Sequence, residues 1–501
     1  MSSPGPLRAI LMVGGSQVVN VVISIIRVKI VALLLGPSGI GLLGLLNNIK
    51  EVASTGGGLG LATSGVRQIA RDTDNPDAQV RTRRVLLWGL IVQGAATALV
   101  VWLLRDVLIE KVFAGAIVPG AIDLIALAIW IGLAASAMSA AIQGMRRIAD
   151  FARLTVIGAL IGTALGLVSI VVLGENGLAI FVLALSVGQF LAAGWFLRRI
   201  VPSGCFAIPP MRGVLANWGG MVRLGLAFMV GALMTTASLL IARTLVHEQL
   251  GFDALGQFEA AWALTMTYIG FVLNAMSADY FPRLSSAIRD PKVANAMVNQ
   301  QMQLALVLGG PLILVAIGLA PIILILLYSS EFTEATILLQ WQSVGNILKL
   351  SCWAIGFTVV AAGRSRLFML LQALFNLVFL GLVWLLLDKL GLVAIGVAFV
   401  VAYMLFFVAN DFAARRLIGF RWDRASLTLQ MAYTCTAVVL LGIVSFAPLA
   451  GAVASVVVAG IGTVLGLRFL LITYGTAHPV ALRIDRLFSR IGWRLRRYGD
   501  D

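Results

Sequence analysis

Arg27, Lys29, Lys50, Arg223, Arg243, Lys349 and Arg468 fall inside runs of apolar sequence long enough to cross a bilayer. A lysine or arginine near the bilayer centre costs roughly 2.5–3.5 kcal/mol on insertion scales, so such residues tend to face a wet interior and mark the path of a ligand. Their neighbours give the face. Gln17, Asn20, Ser24 and Arg27 recur at helical spacing, which puts them on one stripe of an otherwise apolar helix. Asn47, Lys50, Glu51 and Ser54 form a similar patch, Gln342, Asn346, Lys349 and Trp353 another, and Arg243 stands two turns past Thr236 on much the same face. The interior these stripes describe is cationic. A blander reading stands beside this one. Lys29, Arg223, Arg243 and Arg468 also suit snorkelling to an interface, and Arg27, Lys50 and Lys349 a structural ion pair or cap.

Carboxylates within the spans are fewer: Glu51, Glu259 and Asp279, with Asp123 near a span start. Glu51, Glu259 and Asp279 are the candidates for ion coupling, and Glu51 also stands where it can neutralise Lys50. An exporter of organic cations would favour carboxylates, whereas an excess of guanidinium and ammonium groups suits a phosphate or pyrophosphate. The expected ligand is therefore an anion. Other chemistries find little support. His247 and His478 make neither a zinc site nor a triad, and Cys205, Cys352 and Cys435 have no metal-type spacing. The run Gly56-Gly57-Gly58-Leu59-Gly60 lacks the Lys-Ser/Thr ending of a phosphate loop and reads as a flexible or closely packed membrane helix. No cofactor, no nucleic acid and no enzymatic activity are expected, because no outward loop is long enough to carry a catalytic domain.

The elements that must position these groups follow from composition. Of 501 residues, 60% are hydrophobic and 12% charged, which leaves too little polar surface for water to be the main solvent. Apolar runs are expected to form helices near 8–35, 40–66, 85–104, 117–142, 154–173, 177–197, 218–245, 254–281, 303–327, 335–361, 367–387, 391–412, 426–447 and 451–473. Alternate loops then collect 27 Lys and Arg on one side, against Arg105, Lys111 and Lys389 on the other. The positive-inside rule makes the rich side, with both termini, cytoplasmic. A basic amphipathic segment over Val480 to Tyr498 is expected to lie on an anionic membrane surface.

The chain also repeats itself. Gly36 and Gly41 of LGPSGIG match Gly251 and Gly256 of LGFDALG, Gly144 with its arginines matches Gly363-Arg364, and Arg198-Arg199 matches Arg415-Arg416. Six spans separate the equivalents, so the repeat is parallel and a cavity is expected between its halves. The organisation read from this is an all-α integral membrane protein of about fourteen helices: a six-helix lobe over 1–212, a second over 213–420, an added helix pair over 421–475 and a basic tail over 476–501.

LLLGPSGIGLLGLLNNIKEV, from Leu33 to Val52, followed by GLGLATSGVRQIA to Ala70, resembles the opening of Wzx-type polysaccharide flippases of the multidrug/oligosaccharidyl-lipid/polysaccharide superfamily. Within these the likeness is to the O-antigen and enterobacterial common antigen translocases. The last helix pair departs from the twelve-span members and is similar to the fourteen-span lipid II flippases. The resemblance implies a V-shaped bundle in the bacterial inner membrane that alternates its access. It would carry an undecaprenyl-pyrophosphate-linked glycan outward, beside polymerase or ligase partners of the same pathway. It further implies that Arg27, Lys50, Arg243 and Lys349 recognise the pyrophosphate and that Asn20, Asn47 and Asn346 contact sugar hydroxyls. The alternatives on this scaffold are a lipid II flippase and a cation-coupled drug exporter.

Overall fold

In hydrocarbon every backbone N–H and C=O must be satisfied within its own segment, which leaves the helix as the structure of an open-ended apolar run. The computed structural model describes residues 6–72, 75–201 and 214–474, and among them there is no strand. The basic tail expected to be amphipathic lies outside the described residues. The helices are α1 (Pro6–Gly58), α2 (Leu61–Arg71), α3 (Pro76–Leu103), α4 (Arg105–Lys111), α5 (Pro119–Gly144), α6 (Ile148–Leu173) and α7 (Leu178–Ile200). They continue with α8 (Val214–Ala287), α9 (Pro291–Leu327), α10 (Ala335–Ala361), α11 (Ser365–Leu390), α12 (Val393–Ile418), α13 (Arg424–Phe446) and α14 (Pro448–Tyr474). Eleven apolar stretches among the described residues are long enough to cross a membrane, and three of them, Gly15–Gly58, Ile148–Ile200 and Met229–Leu273, hold a break that divides them in two. Fourteen spans result, as the sequence predicts. The apolar faces turned outward, Val172, Phe446 and Leu449 among them, would be a liability in water and are at home in lipid.

Two breaks fall at the first glycine pair of the repeat. Gly36 (φ 61, ψ −163) interrupts α1 and Gly251 (φ 88, ψ 177) interrupts α8, both in backbone regions open only to glycine. At Gly36 the following Pro37 adds its own restriction on the preceding residue. The repeat reaches further than its glycines. α6 is capped by Arg147 (φ −80, ψ 62) and Gly174 (φ 59, ψ −134), and α11 by Arg364 (φ −87, ψ 63) and Gly391 (φ 55, ψ −141). The same turn precedes both helices, and it corrects the register of the repeat: Arg146 (φ 57), not Gly144, stands where the other copy has Gly363 (φ 68).

The chain divides into two compact units, Met1–Ala260 with Ile325–Phe332, and Ala261–Leu324 with Thr333–Asp501. In the first, α3 packs on α5, α5 on α7, and α7 along α6, which in turn packs on α1. In the second, α12 packs along α10 and α11, and α13 packs on α10 and α14. The added pair is integral to that unit: Tyr433, Ala437 and Leu440 of α13 and Ala459 of α14 share one buried cluster with Ile313, Ile317 and Ile347. The second span was expected to run unbroken to residue 66, yet α1 stops at Gly58, Leu59 (φ 47) and Gly60 (φ 67) turn the chain, and α2 starts afresh. The reason is a close approach, for a Cβ on Gly60 would lie 2.7 Å from the Cα of Gly225.

Candidate functional site

Within the first unit the second half of α1 delivers Asn47, Lys50, Glu51 and Ser54 to one cavity of about 780 Å³. These four residues are the patch that helical spacing predicts, so the α-helical period alone places them together. The cavity's other walls come from α2, α3, α5, α7 and the start of α8. α5 contributes Gly132, Ser136 and Ser139, and α7 contributes Ser186 and Gln189. Charge reading did not find these, since none of them is ionisable. The spacing of Gly132, Ser136, Ser139 and Gln143 along α5 is a stripe that could have been seen, had hydroxyls been weighed along with charges.

Lys50 is half-buried, and among the described residues no carboxylate lies within 4.0 Å of it, nor of Arg27 or Lys349. Glu51, one residue on, is exposed toward the same cavity without closing an ion pair. Arg27 and Glu51 both lie within electrostatic range of Lys50, and Arg27 donates from Nη2 to Ser24 Oγ at 3.1 Å, so the stripe of the first span is internally bonded. Asn20, on the same stripe, reaches Thr155 of α6 at 3.4 Å. Lys29 donates to the carbonyl of Ile325 at 2.9 Å, where α9 is running out of its own N–H partners, so it caps a helix end.

Arg243 and Glu259, read from the sequence as a ligand-binding base and an ion-coupling acid, stand together instead. Nε and Nη2 of Arg243 donate to the two carboxylate oxygens of Glu259, and the pair is almost wholly buried, at 7% and 9% exposure. Neither lines the cavity that holds Lys50. The pair closes beside a close crossing of α1 and α8. A Cβ on Gly41 would lie 2.8 Å from the backbone nitrogen of Gly256, one on Gly256 would lie 2.8 Å from the Cα of Pro37, and one on Gly44 would strike the Glu259 carboxylate. The second glycine pair of the repeat therefore meets itself here.

In the second unit, α10 presents the predicted stripe to α8. Gln342 accepts from Thr265 Oγ1 at 2.8 Å, Asn346 donates to Tyr268 Oη at 2.9 Å, and Tyr268 Oη lies 3.0 Å from Ser343 Oγ. Asn346 is fully buried in this network and closed to any ligand in this conformation. Lys349 ends 3.3 Å from the sulfur of Met266, with its charge 5.7 Å from the centre of the Tyr403 ring. The side chain of Asp279 lies outside the described residues.

Comparison with known proteins agrees with this architecture. The lipid III flippases of Escherichia coli (strain K12) and Shigella flexneri are each 25% identical to this chain over 412 residues, spanning 80% of it and 96% of their own length. Among solved structures, an inward closed conformation of the lipid II flippase MurJ is similar with a TM-score of 0.69 at 13% identity, over 92% of this chain and all of the other. An inward-facing multidrug resistance transporter of the MATE family, itself in the MOP superfamily, is similar with a TM-score of 0.62 at 17% identity, over 82% of this chain and 98% of its own. The sequence model for the family described as polysaccharide biosynthesis protein matches residues 30–337, the stretch that holds the cavity, both glycine breaks and the buried ion pair, and the chain belongs to that family.

Proposed function

We propose that this protein is a flippase for an undecaprenyl-pyrophosphate-linked oligosaccharide, moving the glycan from the cytoplasmic to the periplasmic leaflet of a bacterial inner membrane by alternating access. The observation that carries the reading is the cavity of the first unit, where Lys50 stands at a polar wall with no carboxylate paired to it. An ammonium group that no ion pair closes is costly inside a membrane protein, and beside Arg27 it needs more negative charge than Glu51 alone brings, which a pyrophosphate supplies. The lipid III flippases at 25% identity point to the same class of substrate. Arg27 adds positive potential next to Lys50, whereas Arg243 becomes available to an anion only when Glu259 releases it. The polyprenyl chain stays in lipid throughout, and both termini lie in the cytoplasm with the basic tail against anionic headgroups. A polymerase or ligase of the same glycan pathway is the protein partner.

The test is reconstitution. Purified protein in liposomes is offered a fluorescent undecaprenyl-pyrophosphate oligosaccharide and, separately, a cationic dye. Translocation of the lipid-linked glycan, reduced at least tenfold in Lys50→Ala, is expected, since a hydrogen bond to a charged group contributes about 1.5–3 kcal/mol. Movement of the dye alone would transfer the function to a drug exporter built on the same fold.

A further inference from the structure

The wall that faces Lys50's cavity from α5 and α7 carries hydroxyls rather than charge, and it has the marks of a binding surface. Ser136 and Ser139 lie half-buried on one stripe of α5, and the stripe continues into a second, adjoining cavity of about 400 Å³ that shares both serines and extends to Gln143 and Phe151. A serine or threonine in a membrane helix ordinarily returns its proton to a carbonyl one turn back, as Thr236 and Thr244 do here. Ser136, Ser139 and Ser186 make no hydrogen bond among the described residues, although Ser186 is only 5% exposed and lines the cavity. Hydroxyls that line a cavity and hold no bond within the chain are free to bond with what enters it, and three on one surface offer a ligand a set of donors and acceptors.

The surface is also kept clear. A Cβ on Gly132 would sit 3.5 Å from the Ser186 hydroxyl, an ordinary contact, so glycine there is not forced by packing and leaves bare backbone between the two hydroxyl-bearing helices. Gln189 is held in place by the bond from its Nε2 to the carbonyl of Thr155 at 3.2 Å. Among the described residues no aromatic lines the larger cavity. The wall can therefore exchange many modest hydrogen bonds with a polyhydroxylated ligand without stacking it tightly, which suits a substrate that has to be let go.

We propose that Ser136, Ser139 and Ser186, with Gly132 between them, form the glycan subsite. This wall takes the sugars adjoining the pyrophosphate of a polyprenyl-linked oligosaccharide, while Lys50 of the same cavity holds the pyrophosphate itself. The inference rests on the flippase reading. It is tested with the full-length protein in nanodiscs and two probes, undecaprenyl pyrophosphate carrying a trisaccharide and undecaprenyl pyrophosphate without sugar. The Ser136→Ala/Ser139→Ala double variant is expected to bind the sugar-bearing probe about tenfold more weakly and the bare probe as before, since two neutral hydrogen bonds are lost. Gly132→Ala, which fits without a clash, should show the same selective loss and guards against a folding defect in the double variant. Lys50→Ala should weaken both probes. Equal weakening of both probes by the serine and glycine variants, or no weakening of either, overturns the subsite while leaving the flippase reading to Lys50. Failure of the wild-type protein to bind either probe sinks the flippase reading itself, and the subsite with it.

Discussion

Arg243 and Lys50 are both basic residues inside apolar helices, yet the protein treats them oppositely. The Arg243 guanidinium is matched bidentately by Glu259 and shut away, whereas Lys50 stands at the edge of a cavity with no carboxylate at ion-pair distance, Glu51 acting on it only from farther off. A buried ion pair adds little net stability over an apolar pair of the same shape, but removing one member strands the other. Glu259→Gln is therefore expected to destabilise the protein by about 3 kcal/mol, because the guanidinium loses its only carboxylate partner among the described residues. Thermal unfolding in detergent reads this out, and an unchanged midpoint would show that the pair is dispensable. Lys50→Ala should instead leave the midpoint close to where it is, since it breaks no ion pair and the neighbouring Glu51 that it leaves behind is exposed. Stability separates the paired cation from the unpaired one.

At the scale of the helix, the two glycine breaks offer a controlled comparison. Both residues occupy backbone regions that side chains rarely adopt, but their surroundings differ. A Cβ at Gly36 would come within 2.9 Å of the Glu331 carboxylate, while one at Gly251 would meet nothing within 4 Å. Gly251→Ala thus isolates backbone strain, expected at roughly 1–3 kcal/mol, and Gly36→Ala adds crowding to it. Denaturation midpoints should fall in both, further in Gly36→Ala, and equal midpoints would mean that Glu331 swings aside freely. The crossing of α1 and α8 is less forgiving. Gly256→Ala places a methyl against the backbone of Pro37, which cannot move as a side chain can, so loss of folded protein is expected there.

For the whole molecule, the distribution of Lys and Arg makes a claim about direction. The segment between α9 and α10 carries no basic residue, whereas the turn between α10 and α11 carries Arg364, with Arg366 following in the first turn of α11. In a background with Cys205, Cys352 and Cys435 replaced, Ser330→Cys should react with an impermeant thiol reagent in intact cells, and Ser365→Cys only after the membrane is opened. Both positions are exposed, so access depends on sidedness and not on packing. The reverse pattern would invert the topology and, with it, the direction of transport.

The helices were legible in the sequence because the bilayer leaves one option to a run of about twenty apolar residues. The span expected at 335–361 is α10, residue for residue, and the repeat glycines at 36 and 251 mark the two breaks because no other residue tolerates that backbone. The patch of Asn47, Lys50, Glu51 and Ser54 was legible too, since residues three and four apart share a helix face by geometry alone. What the sequence could not give is which helix each face meets. Arg243 and Glu259 are sixteen residues apart with a break between them, and only the fold of α8 back on itself makes them a pair. Asn346 and Asn47 look alike in sequence, but one is sealed against Tyr268 while the other lines a cavity. The serines of α5 and α7 lie about fifty residues apart and carry no charge to flag them; they become one surface only because α5 packs against α7. A single chain specifies its periodicities locally, whereas partners are settled by the packing of one helix on another, and that packing is decided in three dimensions.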